Sequence, residues 1–143
     1  MSQPGRPRHY LYRRRPVKIM AEHDGEATVW CLDPGTGARI TDRDLAREIA
    51  RDIRIDQLNP LTPRQFIDIV ETIRAATLTG DGAVFALYET IIAIHATVEA
   101  EQRRPTPEEM ALLGGLRQRA YRMFEDELAR RGNPAAEPDL SVT

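Results

Sequence analysis

Residues 82–101 constrain the fold more than any other segment, because their apolar side chains cover most of a helical circumference. A surface helix usually presents one apolar stripe, whereas a helix that is apolar on most sides is usually central. The pattern therefore predicts a central helix in a small helical array. As an alternative, such a helix can pair with its counterpart in a dimer. The side chains assigned to that contact are Ile91, Ile92, Leu113, Leu116 and Phe124.

Three more helices are predicted, and each begins at a threonine that can accept a hydrogen bond from the first helical turn. Two of these threonines are followed by proline, which is favoured at the first helical position. The first helix is expected to run to about residue 55, and Gly132 ends the last. The predicted starts are Thr41, Thr62 with Pro63, and Thr106 with Pro107 and the capping-box residue Glu109.

Two short β-prone runs, residues 17–20 and 27–32, precede the helices, and Asp24-Gly25 between them is a hairpin signal. A second turn at residues 33–37 can lead into a short third strand near Ile40. The predicted fold class is α+β, with a small N-terminal antiparallel β-hairpin followed by about four mostly antiparallel α-helices. The predicted organisation is a disordered basic arm at 1–9, one globular domain at 10–132 and a disordered tail at 133–143.

Charge is unevenly distributed along the 143 residues. The first 21 residues carry six basic side chains and no acidic one, whereas the remainder holds 14 basic and 22 acidic residues. Basic groups release counterions from phosphates and aromatic rings stack on bases, so this opening predicts contact with nucleic acid or another polyanion. The alternative is a solvated tail that contacts an acidic protein surface. The contact residues predicted here are Arg6, Arg8, Tyr10, Tyr12, Arg13, Arg14, Arg15 and Lys18.

A second basic feature lies on the first predicted helix. Its arginines recur at i, i+4, i+8 and i+11, which places them along one line of the helix surface. Phosphate contact is one interpretation, and a solvated face that pairs with Asp44 and Glu48 is the other. The arginines of this line are Arg43, Arg47, Arg51 and Arg54.

The sequence predicts no enzyme, cofactor or metal site. His95 shares an apolar helix face with no nucleophile at dyad spacing, which favours a core-edge histidine over a general base. The glutamates lack the Glu-x-x-His partners of a carboxylate metal site. Cys31 is the single cysteine, which is typical of a reducing compartment. No uninterrupted apolar run of about 18 residues predicts a membrane span, and a bacterial-type cytoplasm is expected.

Residues 29–52, VWCLDPGTGARITDRDLAREIARD, are similar to part of the DNA-binding domain of polyhydroxyalkanoate synthesis regulators, and the similarity extends to residue 73. The resemblance implies transcriptional regulation by DNA binding, usually as an oligomer. It assigns no individual DNA-contacting residue. The positions that carry it are Asp33, Gly37, Ile40, Thr41, Leu45, Ile49 and Asp52.

Together these features predict a non-enzymatic nucleic-acid-binding regulatory protein that uses its basic arm. The alternative is a protein–protein interaction module, such as a phage or mobile-element structural or assembly component, or an inhibitor of a larger machine. In that case the arm would become ordered on the acidic surface of a partner.

Overall fold

The computed structural model describes residues 8–21, 27–51 and 58–140. This part of the chain contains five strands and four helices. The strands are β1 (His9–Tyr12), β2 (Arg15–Ala21), β3 (Ala27–Leu32), β4 (Arg39–Thr41) and β5 (Leu58–Pro60). The helices are α1 (Arg43–Arg51), α2 (Pro63–Thr77), α3 (Ala83–Ala100) and α4 (Pro107–Arg130).

The prediction of one small N-terminal hairpin is wrong. The described strands form a five-stranded antiparallel sheet in the order β4-β3-β2-β1-β5. The predicted pairing is present as β2 with β3, where Val17 lies opposite Cys31, but it is only the middle of the sheet. The Asp24-Gly25 turn lies outside the described residues.

Two of the added strands lack the usual sequence signals. The turn between β1 and β2 consists of Arg13 and Arg14, both with positive φ, at 48° and 69°. Two-residue hairpin turns require this backbone, but Asn-Gly normally supplies it, so two arginines give no turn signal. Strand β5 contains Asn59-Pro60, which is typical of a loop. Proline is tolerated there because β5 lies at the edge of the sheet.

Both faces of the sheet are covered. Alternation along the strands directs Tyr12, Val17 and Cys31 to one face, where they pack with Leu45 of α1. On the other face, Leu32 packs with a cluster from α2 and α4 that includes Phe66. The sheet therefore forms the middle layer between α1 and the longer helices.

The helix starts at Thr62 and Thr106 are confirmed, and both form complete capping boxes. The predicted start at Thr41 is shifted, because Thr41 belongs to β4 and Asp42 caps α1 by accepting a hydrogen bond from Leu45 N at 3.0 Å. Helix α1 ends at Arg51, where the described segment also ends.

Helix α3 is less enclosed than its sequence predicts. Only Tyr88, Ile91 and Val98 are buried among its 18 residues, and it packs on α2 and α4 at the side remote from the sheet. Its length of 18 residues and its mean hydropathy of 1.4 are sufficient for a helix that crosses a membrane. The core helices of soluble proteins meet the same criteria.

Residues 133–140 pack on the body of the protein, although the sequence predicts a disordered tail from 133 onward. Ala135 is fully buried. The Glu137 backbone nitrogen donates to a carboxylate oxygen of Glu125 at 2.9 Å, and the Asn133 side chain donates to the Arg39 carbonyl at 3.0 Å. These contacts join the end of the described chain to α4 and β4.

Candidate polyanion-binding surface

The β1–β2 turn carries three consecutive exposed arginines, Arg13, Arg14 and Arg15. Tyr12 and Arg15 form the last paired positions of the two strands, which leaves Arg13 and Arg14 as the loop. The turn therefore presents its charges at the end of the sheet. The guanidinium of Arg15 also donates to the Cys31 sulfur at 3.2 Å.

Helix α1 carries the second group of arginines. Arg43, Arg47 and Arg51 are exposed, whereas Leu45 is buried against the sheet. The spacing of four residues keeps the three arginines on the solvent side of the helix. Arg54 lies outside the described residues.

Two carboxylates connect the turn to α1. Arg13 NH1 lies 3.6 Å from Glu48 Oε2, and Arg15 NH2 lies 3.7 Å from Asp42 Oδ2. The Tyr12 hydroxyl donates to the same Glu48 carboxylate at 3.5 Å. The turn and the helix consequently form one continuous region. We call this region the basic surface: Arg13, Arg14, Arg15, Arg43, Arg47 and Arg51, with the interspersed carboxylates Asp42, Asp44 and Glu48.

Several residues predicted to contact nucleic acid do not reach this surface. Lys18 is only 6% exposed and lies on the opposite face of the sheet, and Tyr12 is buried beneath α1. Tyr10 is half-buried on the same side as Tyr12, and Arg8 is exposed. Strand alternation is the reason, because it directs neighbouring side chains to opposite faces of a sheet that is covered on both. Arg6 lies outside the described residues.

Lys18 instead contributes to a cluster of charges around Glu137. Lys18 Nζ lies 3.2 Å from one oxygen of Glu137, and His9 Nε2 lies 2.8 Å from the other. Arg39 NH1 approaches the same carboxylate at 3.7 Å. Burial alone would raise the pKa of Glu137, but the His9 hydrogen bond and the three neighbouring charges lower it. A carboxylate in a segment predicted to be disordered thus neutralises part of the basic N-terminus.

A second group of charges that the sequence does not reveal lies at the centre of the molecule. The fully buried Arg74 donates to Glu71 at 2.7 Å and to Glu125 at 2.5 Å. It also donates twice to the Gly37 carbonyl, at 3.0 and 2.8 Å. Burial would lower the pKa of Arg74, but the two carboxylates raise it, so the guanidinium stays charged. This arginine connects the β3–β4 turn to α2 and α4.

The same central group includes Arg39 and two tyrosines. Arg39 NH2 donates to Glu125 at 3.0 Å and to the Tyr121 hydroxyl at 2.8 Å. The Tyr88 hydroxyl donates to Glu71 at 2.8 Å, and burial raises its pKa. These side chains form hydrogen bonds with one another, so the group is a structural element of the core.

Residues weighed for catalysis are not brought together in the described part of the chain. His95 is exposed, and its Nε2 lies 3.0 Å from Arg117 NH2. Cys31 is buried, and burial raises the pKa of its thiol. Among the described residues, no group of three or more His, Cys, Asp or Glu side chains could hold a metal ion.

The five residues assigned to a dimer contact differ in exposure. Ile91 and Leu113 are buried in a cluster of α2, α3 and α4, and Leu116 packs against it. Phe124 is half-buried, with the Arg74 guanidinium 4.1 Å from its ring centre. Ile92 is 50% exposed and is the one of the five that retains a large accessible apolar surface.

The segment that resembles polyhydroxyalkanoate synthesis regulators folds as β3, the following turn, β4 and α1. The Asp33 side chain accepts hydrogen bonds within the turn from Gly35 N and Thr36 Oγ1, and Leu45 is buried. Asp52 lies outside the described residues. The family assignment stays a prediction. Comparison of the chain with protein-family models, curated proteins and solved structures found no match.

Proposed function

We propose that this protein is a non-enzymatic regulatory protein that binds nucleic acid through its basic surface. The observation that carries the proposal is the junction between the β1–β2 turn and α1, where contacts from Arg13 to Glu48 and from Arg15 to Asp42 join two groups of arginines. Six arginines and three carboxylates give this region a net charge of +3, although the whole chain carries −2.

The internal ion pairs of the basic surface are weak enough to be exchanged for phosphate contacts. Their N···O distances are 3.6 to 3.8 Å, and the Arg47 side chain is 71% exposed while it pairs with Asp44. Exposed pairs of this kind contribute about 0–1 kcal/mol to stability. Arginine also suits phosphate better than lysine does, because its planar fork donates two parallel hydrogen bonds.

A fluorescence titration with duplex and single-stranded oligonucleotides at two salt concentrations tests the proposal. We expect binding that weakens steeply with salt, since each neutralised phosphate adds about 0.9 to the log–log slope on duplex DNA. The triple substitution R43A/R47A/R51A should lower both the affinity and the slope.

A matched control removes the same charge elsewhere. Arg119, Arg122 and Arg130 are exposed on α4, away from the basic surface, and R119A/R122A/R130A should leave binding within about twofold of wild type. Absence of binding at low salt, or equal weakening in both triple variants, would contradict the proposal.

A different observation favours the alternative of a protein–protein interaction module. Ile92, Met110 and Leu112 of α3 and α4 are 50%, 61% and 52% exposed, and exposed apolar side chains are available for contact with a protein partner. In that case a stoichiometric protein partner should co-purify with the wild-type chain and be lost with M110E/L112E. Under the nucleic-acid proposal, those two substitutions leave oligonucleotide binding unchanged.

A further inference from the structure

A cleft of about 650 Å³ lies between α2, α3 and α4, on elements that do not contribute to the basic surface. Arg64 and Asp68 of α2, His95 of α3 and Arg117 of α4 line it together with Met110 and Leu113. This size is within the range of small-molecule binding sites, about 300–1,000 Å³. An apolar wall with a few charged groups is also typical of such sites.

Two polar atoms in this cleft have unused hydrogen-bonding capacity. Within the described part of the chain, Asp68 Oδ1 and Arg117 Nε are buried and make no hydrogen bond. Buried polar groups are nearly always paired, so these two unpaired atoms on neighbouring side chains mark an incompletely paired part of the cleft wall. Burial raises the pKa of Asp68, and the neighbouring charges of Arg117 and Arg64 oppose that shift. Asp68 and Arg117 thus bring one acceptor side chain and one donor side chain to the wall of the cleft.

The charged side chains of the cleft determine which ligands it suits. A guanidinium has only donors, so in the 3.0 Å contact between Arg117 NH2 and His95 Nε2 the imidazole nitrogen accepts. Two arginines and one aspartate line the cleft, and this excess of basic side chains suits a ligand with an anionic group.

Gly114 provides the space for one of these arginines. A methyl group at Gly114 would lie 3.0 Å from Arg64 NH2, so the guanidinium rests directly on the α4 backbone. The adjacent Gly115 faces open space, where a methyl group would have no atom within 4 Å. Glycine inside a helix is less favourable than alanine. Gly114 therefore leaves room for the exposed Arg64 guanidinium beside α4, whereas Gly115 contacts no side chain.

We propose that this cleft binds a carboxylate that carries an N–H group on its α-carbon and an apolar side chain. Arg64 and Arg117 hold the carboxylate, Asp68 accepts from the N–H group, and Met110 and Leu113 contact the apolar side chain. Two sources supply this chemistry, a free apolar amino acid and the C-terminus of a peptide. Both place a donor one carbon away from a monoanionic carboxylate.

Nuclear magnetic resonance titration of the full chain with three related probes tests the proposal and distinguishes the sources. Leucine represents the free amino acid, N-acetyl-leucine represents a peptide C-terminus, and leucinamide lacks the carboxylate. We expect at least one of the two carboxylates to shift amide resonances of α2 and α4 at the cleft. The affinity for leucinamide should be lower by about tenfold or more, because a charge-assisted hydrogen bond to the carboxylate is removed.

Substitution of Arg64 tests the same site, and Gly115 supplies a control. R64A should weaken binding of the preferred carboxylate by about tenfold, because it removes a guanidinium that holds the carboxylate. G115A should bind within about twofold of wild type. The proposal is overturned if neither carboxylate binds at about 10 mM, or if the affinity survives R64A. Oligonucleotide binding is measured separately, so failure here leaves the proposed function intact.

Discussion

The arginines at the centre of the molecule and those of the basic surface have the same side chain but opposite environments. Arg74 is fully buried and donates to two carboxylates and a backbone carbonyl. Arg47 is 71% exposed and reaches a single carboxylate at 3.8 Å. The first cannot leave its partners without leaving charges buried, whereas the second can exchange its partner for another anion at little cost.

This difference indicates which charges maintain the fold and which can bind a ligand. The central group connects the β3–β4 turn, α2 and α4, and so sets the position of the sheet against the helices. Burying ions is itself costly, so the value of this group lies in the ion pairs that Arg74 makes with Glu71 and Glu125. The ion pairs of the basic surface are instead exposed or partly exposed, with N···O distances of 3.6 to 3.8 Å. We therefore expect substitutions in the two regions to separate stability from binding.

The largest expected effect is that of R74A. Removing this guanidinium leaves the Glu71 and Glu125 carboxylates buried without their main partner, which should cost about 3–5 kcal/mol of unfolding free energy or prevent folding. Urea denaturation followed by circular dichroism measures the change. The exposed-site control R119A should stay within about 0.5 kcal/mol of wild type. Equal stability of the two variants would show that the central group does not maintain the fold.

Gly37 tests the same group from the side of the β3–β4 turn. Its φ is +75°, and an added methyl group would lie 2.6 Å from Phe124 Cζ and 2.7 Å from Leu78 Cδ1. G37A should therefore lose about 2–3 kcal/mol through backbone strain and crowding together. Gly132 also has positive φ, at +84°, but a methyl group added there would have no atom within 4 Å. G132A should lose only about 1 kcal/mol, and the difference between the two thermal melts measures the crowding.

Glu137 tests the link between the C-terminal segment and the sheet. E137Q removes a carboxylate held by His9 and Lys18 and should cost about 1–2 kcal/mol at pH 7. Because the folded-state pKa of Glu137 lies below the ordinary 4.5, its stabilisation is complete above about pH 4.5 and is lost as the pH falls through the lower value. The difference between the urea midpoints of wild type and E137Q should be largest at pH 7 and should shrink as the pH is lowered below 4.5. A difference that does not change with pH would assign the effect to packing.

Helix starts and the central hairpin pairing were predictable because their signals are local. Thr62 and Thr106 each stand next to proline and three residues before a Gln or Glu, and both cap as predicted. Strands β1 and β5 were not predictable, since an Arg-Arg turn and an Asn-Pro strand contradict the usual propensities. Pairing with neighbouring strands overrides those propensities, and for β5 the partner β1 is distant in the chain, so its pairing is a tertiary contact.

The placement of the site residues was likewise predictable only where it depends on local spacing. The exposed arginines of α1 follow from a four-residue spacing that any helix preserves. The burial of Lys18 does not follow from sequence, because its partner Glu137 lies 119 residues further along the chain. The pairing of Arg74 with Glu125 is equally remote from local patterning, at a separation of 51 residues. Local spacing predicts which surface a side chain faces, whereas charge neutralisation inside a fold depends on contacts between remote segments.

R13N/R14G should have the smallest effect on stability. It is also the most direct test of whether exposed arginines act in binding and not in maintaining the fold. Both positions have positive φ, and Asn-Gly is the pair that such a two-residue turn prefers, so the fold should keep its stability within about 1 kcal/mol or gain slightly. The basic surface loses two charges, and the log–log salt slope of oligonucleotide binding should fall by up to about 0.9 for each phosphate that is no longer neutralised. The double variant R119A/R122A removes equal charge from α4 and should retain wild-type binding. Unchanged binding in R13N/R14G would exclude these two arginines from the interface and leave Arg15 and the arginines of α1 as its basic groups.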